Sequence, residues 1–292
     1  MTALRRIKWQ YALIAVVAAA AAAFGLLATP ASPLAVSGKK SKPGATARIK
    51  ASPPPQLFTD AQVAPLAKEV AAQQKTADAL FAEWKKEHGA TRDDSAFTAW
   101  AVAKVPAPPS AKDRTAELHQ VQQLAKTRTT AGKKAATWLE IHGKKDIWKL
   151  YLHDQRELLP KTEGDADKAQ LKAALKLAKA LSEKLAARYH QSAPYVLDPS
   201  LRTDKHLTTG QKCPCSYPSH HGAASATAVT FLTALDPHRA DEYRSMQSQV
   251  LYSRLYMAGH VTSDITAGAL LGDLVGDYAL LANGHTTSAA AK

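Results

Sequence analysis

The sequence predicts an all-α protein: a helical bundle preceded by N-terminal segments of different composition. From residue 57 onward, apolar residues recur at spacings of three, four and seven, which is the period of a helix. The alternation of apolar and polar residues that marks strands is not found there. The composition divides the chain into an N-terminal segment at 1–29, a linker at 30–56 and a helical domain at 57–292.

The first 29 residues have the composition of a targeting segment. Arg5, Arg6 and Lys8 precede an uncharged, alanine-rich run from Tyr11 to Thr29. A basic flank before an apolar run is typical of a signal peptide or a membrane anchor, and the run's length fits both. We expect the rest of the chain to be exported, and either secreted or anchored to the outer face of the cytoplasmic membrane. Membrane contact is expected through this segment alone.

Residues 30–56 combine prolines, serines and lysines without an apolar period. Such a composition is typical of an extended, disordered linker. The folded domain is therefore expected to begin at residue 57.

Capping residues, glycines and prolines divide the helical domain into separate helices. Thr59 or Asp60 is a suitable N-cap for the first helix, and Gly89 ends it. A long ordered loop is expected over Gln191–Tyr217, and loops of that length are often functional. The predicted helices are Asp60–His88, Asp93–Val105, Ser110–Ile141, Asp146–Leu158, Asp165–His190, Ser219–Leu235, Arg239–Met257 and Ser263–Ala282.

Glycines recur at every fourth position of the last predicted helix, at Gly268, Gly272 and Gly276. On a helix this spacing places them on one face, where a neighbouring helix can approach closely. We interpret this row as structural.

The chain is basic, with 38 Lys and Arg against 25 Asp and Glu and a formal net charge of +13. A positive surface favours anionic partners such as phosphate compounds, acidic polymers or anionic membrane. Specific nucleic-acid recognition is not expected, because the sequence has no zinc-finger spacing, RNP-like aromatic motif or basic zipper.

One segment near the C-terminus has residues suited to phosphoryl transfer. His260 and Asp264 are four apart, so on a helix they share a face, and a carboxylate can orient an imidazole for nucleophilic attack. Arg254 adds a guanidinium, which binds phosphate oxygens in pairs. A His–Asp pair alone is more often a stabilising surface pair. The nearby arginine favours a phosphate site over that interpretation.

A second segment, Pro218–His221, precedes a predicted helix. Ser219 offers a hydroxyl where backbone N–H groups and the helix dipole favour anions. His221 is suited to donate a proton to a leaving oxygen. Taken singly, Ser219 is an ordinary N-cap and His221 a loop histidine. The joint pattern of this segment with Arg254, His260 and Asp264 is much less frequent by chance than any one of these residues.

The joint pattern resembles the type 2 phosphatidic-acid phosphatase (PAP2) superfamily, which includes bacterial acid phosphatases and vanadium haloperoxidases. Pro218-Ser219-His220-His221 is similar to the family's Pro-Ser-Gly-His, and Ser253–Asp264 carries its second arginine–histidine–aspartate motif. The resemblance covers about Pro194–Ala282 and implies a helical bundle of the PAP2 type. The lipid-phosphatase branch has several membrane spans, so this chain is more similar to the soluble acid-phosphatase branch.

The resemblance also implies roles for individual residues. The family binds phosphate through a serine, an arginine and the backbone at the glycine position, which correspond here to Ser219, Arg254 and His220. Its first-motif histidine is a general acid, which corresponds to His221. Its second-motif histidine becomes phosphorylated and is oriented by an aspartate. Those positions are His260 and Asp264.

The chain departs from the family pattern in its phosphate-binding cations. The family has a lysine and then an Arg-Pro pair upstream, where this chain has Ala186 and Ala193-Pro194. Histidine also replaces the glycine at position 220. Other cations lie nearby without the family's spacing: Lys184, Arg188, Arg202, Lys205 and Lys212.

We therefore expect an exported phosphatase that hydrolyses a small phosphorylated substrate through phospho-His260, with no metal or other cofactor. One alternative is a noncatalytic or weakly active envelope protein on the same fold, and another is a vanadate-dependent haloperoxidase-like enzyme. A metal-binding protein is a further alternative, through Cys213, Cys215, His220 and His221. A serine hydrolase that uses Ser219 and Asp264 is not favoured, because the sequence around Ser219 lacks the Gly-x-Ser-x-Gly pattern. The two cysteines are expected as a strained disulfide or as thiols.

Overall fold

The computed structural model describes residues 43–156, 161–203 and 215–281. Secondary structure in these ranges is helical, apart from an isolated bridge between Ser192 and Cys215. The all-α prediction is confirmed. The predicted targeting segment and residues 30–42 of the predicted linker lie outside the described residues.

The helices are numbered here in chain order. Their bounds are α1 Ala45–Ala51, α2 Asp60–His88, α3 Asp94–Lys104, α4 Ala111–Lys126, α5 Thr130–His142, α6 Asp146–Arg156, α7 Lys161–Tyr189, α8 Pro194–Leu197, α9 His220–Leu235, α10 Ala240–Tyr256 and α11 Thr262–Leu280. Short 3₁₀ turns occur at Pro199–Leu201 and Pro237–Arg239. In the described ranges, every helix is too short or too polar to cross a bilayer.

The linker prediction is wrong at its C-terminal end, because α1 lies inside it. Arg48 of α1 donates from Nε to Asp146 Oδ2 at 2.8 Å. Trp138 Nε1 donates to the backbone oxygen of Ser52 at 2.7 Å. These contacts join residues distant in sequence, so the surrounding prolines and lysines gave no indication of them.

The single helix predicted at Ser110–Ile141 is also wrong, because the structure divides it into α4 and α5. The hydroxyl of Thr127 donates to the backbone oxygen of Leu124 at 2.9 Å. Thr129 then caps α5 by accepting from Gly132 N at 3.0 Å. Threonine side chains at a helix end compete with backbone hydrogen bonds, and these two end one helix and start the next.

Helix α11 lies in the centre of the domain and packs against α2, α7 and, most extensively, α9. The glycine row faces α9, which confirms the predicted close approach of a neighbouring helix. A Cβ at Gly272 would overlap the carbonyl oxygen of Ala223 and lie 2.7 Å from Ala226 Cβ. A Cβ at Gly276 would lie 2.6 Å from Thr230 Cβ. Glycine is therefore required for the close approach of the two helices.

The N-terminal ends of α9 and α11 meet. Ser219, which precedes α9, donates its backbone N–H to the backbone oxygen of Asp264 in α11 at 2.8 Å. This contact brings together the two sequence segments that carry the candidate site residues.

We expect Gly272→Ala to destabilise the protein by about 1–3 kcal/mol, since overpacking a close helix contact costs that much. Thermal and urea unfolding followed by circular dichroism would measure it. Gly44→Ala is the matched control, because a Cβ there meets no atom within 4 Å. Equal stability of the two variants would contradict the close-packing argument.

Candidate active site

Ser219 forms the N-cap of α9 and is fully buried. Its Oγ accepts from Gly222 N at 3.2 Å. The side chain is therefore held at the start of the helix, where the first backbone N–H groups favour an anion.

Arg254 lies in the last turn of α10 and is 3% exposed. The chain then turns at Ala258, which has a φ of 57°, and at Gly259. A Cβ at Gly259 would lie 2.6 Å from Arg254 Nη2, so a side chain here would displace the guanidinium. Burial lowers the pKa of Arg254 to about 9, which leaves it charged at neutral pH.

Glu140 of α5 contacts both Arg254 and His221. Its Oε2 forms an ion pair with Arg254 Nη1 and lies 3.4 Å from His221 Nε2. His221 Nε2 is also 3.2 Å from the backbone oxygen of Glu140. Because a carbonyl oxygen can only accept, this contact assigns the proton of the neutral imidazole to Nε2. Burial lowers the pKa of His221 well below its ordinary value.

His260 is 9% exposed and has a defined tautomer. Its Nδ1 lies 2.9 Å from the backbone oxygen of Ser216, so Nδ1 donates and Nε2 keeps its lone pair. Burial lowers the pKa of His260, while Asp264 opposes that shift and the charge of Arg254 adds to it. The neutral, nucleophilic form is therefore favoured.

Asp264 lies beside His260, and its expected role in orienting the imidazole stays a prediction. Its Oδ2 lies 3.8 Å from His260 Nδ1, beyond hydrogen-bond distance, and accepts from Val261 N at 3.1 Å. The carbonyl of Ser216 is the closer partner of the imidazole. Asp264 acts on His260 through its charge and by holding the start of α11.

Arg114 of α4 is the counter-ion of Asp264. Its Nη1 donates to Asp264 Oδ1 at 2.8 Å, and its Nη2 lies 3.3 Å from Ser216 Oγ. Burial of Asp264 raises its pKa, but His260 and Arg114 outweigh that and hold the pKa below its usual value. The carboxylate is therefore ionised at neutral pH and adjacent to the imidazole.

His220 occupies the first position of α9 and is partly buried. Burial, followed by the charges of Lys144 and Lys179, lowers its pKa to about 4. His220 is therefore neutral near pH 7, so it does not attract an anion by charge at that pH.

The alanines at the family's cation positions are Ala193, 2% exposed, and Ala186, partly buried. Among the cations near these positions in sequence, Lys184 and Arg188 are exposed, and Arg202 lies over the Tyr195 ring at 5.2 Å. Lys205 and Lys212 lie outside the described residues.

Lys144, in the turn after α5, is a cation that lies close to the candidate site. Its Nζ lies 3.4 Å from Glu140 Oε1. Its charge is among the causes of the lowered pKa values of His220 and His221.

Sequence reasoning missed Arg114, Glu140 and Lys144. All three lie on or next to helices α4 and α5, upstream of the recognised motifs. Each is a charged residue in a helical pattern rich in charged residues, so no spacing distinguishes it. The signal that identifies them is tertiary contact.

The cysteine and metal alternatives meet different findings. Cys215 is disulfide-bonded, so it is not a free thiol, and Cys213 lies outside the described residues. Within the described ranges, no group of three or more His, Cys, Asp or Glu side chains is arranged to hold a metal ion.

The comparison with known families agrees with the site motifs. Residues 168–283 match the family model of the PAP2 superfamily. This range includes α9 to α11 and every candidate residue named from the sequence. A comparison with curated proteins finds no match.

We expect Arg114→Gln to lower the free energy of unfolding by about 3 kcal/mol at neutral pH, because it leaves a buried carboxylate without its counter-ion. The loss should shrink at acidic pH, since the folded-state pKa of Asp264 is lowered and its ionic contribution disappears on protonation. Urea unfolding at several pH values measures both effects.

Arg244→Gln is the control for that variant, because its pair with Asp241 is exposed and 3.5 Å long. Exposed pairs contribute less than about 1 kcal/mol. Equal losses in the two variants would contradict the assignment of Arg114.

We expect His220→Gln to change the pH dependence of stability. The folded-state pKa of His220 is about 4, so between pH 6.5 and 4 the unfolded chain binds a proton that the folded chain does not. This group therefore lowers the free energy of unfolding of the wild type as pH falls. The free energy of unfolding of the variant, measured relative to that of the wild type, should rise by about 1–2 kcal/mol from pH 7 to pH 5. His119→Gln, at an exposed position, controls for loss of a histidine. Parallel pH profiles of His220→Gln and wild type would contradict this prediction.

Proposed function

We propose that the protein is a phosphatase that hydrolyses phosphomonoesters through phosphorylated His260. The proposal starts from the match of residues 168–283 to the PAP2 superfamily. The superfamily includes phosphatases. The observation that carries the proposal is the tautomer of His260. The carbonyl of Ser216 accepts a hydrogen bond from Nδ1–H, so Nε2 keeps a free lone pair.

In the first step, Nε2 of His260 attacks the phosphorus atom and the bond from phosphorus to the leaving oxygen breaks. The leaving oxygen takes a proton from His221 in its imidazolium form, which leaves that ring neutral. Burial favours the neutral imidazole of His221 in the free protein, and a bound phosphoryl dianion would raise its pKa and so favour the imidazolium form that donates the proton.

In the second step, His221 takes a proton from water, and the resulting hydroxide attacks phosphorus. The bond between phosphorus and His260 Nε2 breaks, and inorganic phosphate leaves. Both histidines regain their starting protonation, so no electron or proton is left over. The chemistry needs no redox partner.

The surrounding charges suit this reaction. Arg254 and the Ser219 hydroxyl would hold phosphoryl oxygens at the start of α9. Phosphorylation of Nε2 makes the His260 ring positive, since Nδ1 keeps its proton. Asp264, 3.8 Å away and paired with Arg114, would stabilise that charge.

The substrate and the place of action belong to the proposal too. A basic chain favours an anionic substrate, and we infer a small phosphorylated compound. The basic and alanine-rich residues 1–29 favour action outside the cytoplasm.

A noncatalytic PAP2-fold protein is the second candidate. Ala186 and Ala193 at the family's cation positions favour it. Each missing preorganised donor can remove about 3 kcal/mol of transition-state stabilisation.

The deciding experiment assays the full chain on an aryl phosphate from acidic to neutral pH. We expect turnover that vanadate inhibits, because pentacoordinate vanadate resembles the transition state. His260→Ala should lose at least about a thousandfold in kcat, as removal of a covalent nucleophile does. His119→Ala, at an exposed position, should keep wild-type turnover.

Mass spectrometry of rapidly quenched protein, kept alkaline to preserve phosphohistidine, should find the phosphoryl group on His260. Equal turnover of wild type and His260→Ala would reject the phosphohistidine mechanism. Absence of turnover in both would favour the noncatalytic candidate.

A further inference from the structure

We propose that Lys144 is the second phosphate-binding cation of this site, and that Glu140 fills the site as an internal carboxylate which a phosphoryl group displaces. The inference rests on the proposed function for the identity of the ligand. Both residues lie outside the family motifs. One of them, Glu140, is a carboxylate of the chain itself that competes with the substrate.

The contacts of Glu140 are those that a phosphoryl group would make. One carboxylate oxygen, Oε2, pairs with Arg254 and lies 3.4 Å from His221 Nε2. The other, Oε1, lies 3.4 Å from Lys144 Nζ. Guanidinium, ammonium and imidazole N–H groups bind carboxylate and phosphate oxygens by the same charge-assisted hydrogen bonds. The carboxylate therefore lies where two oxygens of a phosphoryl group would bind.

Arg254 has donor capacity that Glu140 does not use. Its Nε is buried and has no hydrogen-bond partner among the described residues. A guanidinium carries five N–H donors, and a buried donor without a partner costs free energy. A phosphoryl group offers three oxygens in place of two, so its binding gives Arg254 more acceptors than the carboxylate does.

Lys144 supplies positive charge that the motif region lacks. Ala186 and Ala193 carry none, and Lys184 and Arg188 are exposed. The side chain of Lys144 is 34% exposed, which places it at the rim of the site rather than in the core. Burial lowers its pKa, consistent with an ammonium group partly withdrawn from water. Its charge is among the causes of the lowered pKa of His221, the proposed general acid.

Displacement of Glu140 has a cost that lowers affinity. Its side chain is 13% exposed, and its negative charge balances Arg254 in the resting protein. A ligand must replace that pairing before it gains any net interaction. Removing the charge of Glu140 should therefore strengthen anion binding, while removing the charge of Lys144 should weaken it.

The test measures binding of inorganic phosphate and vanadate to the full chain by isothermal titration calorimetry, so it does not depend on turnover. Lys144→Met should weaken binding of both anions about tenfold, the loss expected for one charge-assisted hydrogen bond. Lys144→Arg should retain binding within about threefold, since the charge is kept. Lys145→Met removes the adjacent, exposed lysine and should leave binding within about twofold of wild type.

Glu140→Gln should bind both anions about tenfold more tightly than wild type, because the amide keeps the shape without the charge. Thermal unfolding by circular dichroism shows whether each variant is folded. If Glu140→Gln is unfolded, the Lys144 variants alone test the inference. The Lys144 side chain is partly exposed, so its substitution should leave the protein folded.

The outcomes separate this inference from the proposed function. Turnover with phosphate binding that does not change in Lys144→Met would overturn the inference and leave the phosphatase intact. Absence of turnover, with binding that follows Lys144 and Glu140 as described, would support the inference and reject the phosphatase. Failure of both wild type and folded Glu140→Gln to bind either anion would overturn the inference.

Discussion

The close packing of α9 against α11 is the constraint on which the rest of the structure depends. Gly272 and Gly276 remove side-chain volume between the two helices, so their backbones approach closely. The N-terminal ends then meet, and Ser219 N donates to the backbone oxygen of Asp264. Since Ser219 and Asp264 belong to different motifs, the site is assembled by this packing. Helical geometry alone places neither motif next to the other.

The second requirement is the balance of buried charge. Asp264 is paired with Arg114, and Arg254 is paired with Glu140. Single charges at these depths would cost several kcal/mol, so each cation needs its carboxylate. The two pairs differ in consequence. Arg114 is the counter-ion of the charge that Asp264 presents to His260, whereas Glu140 pairs with the guanidinium that a phosphoryl group would bind under the proposed function.

Much of the fold followed from periodicity, and most predicted helices agree with the structure to within a few residues. The exceptions share one cause. The division between α4 and α5 depends on the hydroxyl contacts of Thr127 and Thr129, in a stretch whose apolar pattern runs on. The order of α1 depends on a contact with Asp146, far along the chain. Local patterns do not contain such contacts, so no window of sequence predicts them.

The sequence by itself determined the helical class and the residue types of the candidate site, because motif spacing is a local property. Ser219, His221, Arg254, His260 and Asp264 can be named as candidates from residue type and motif spacing. Tertiary structure decided what those residues touch. It made the carbonyl of Ser216 the closer partner of His260, and it brought Arg114, Glu140 and Lys144 to the site. The physical reason is that a charged side chain acts on what lies within a few ångströms, and packing of distant helices sets those distances.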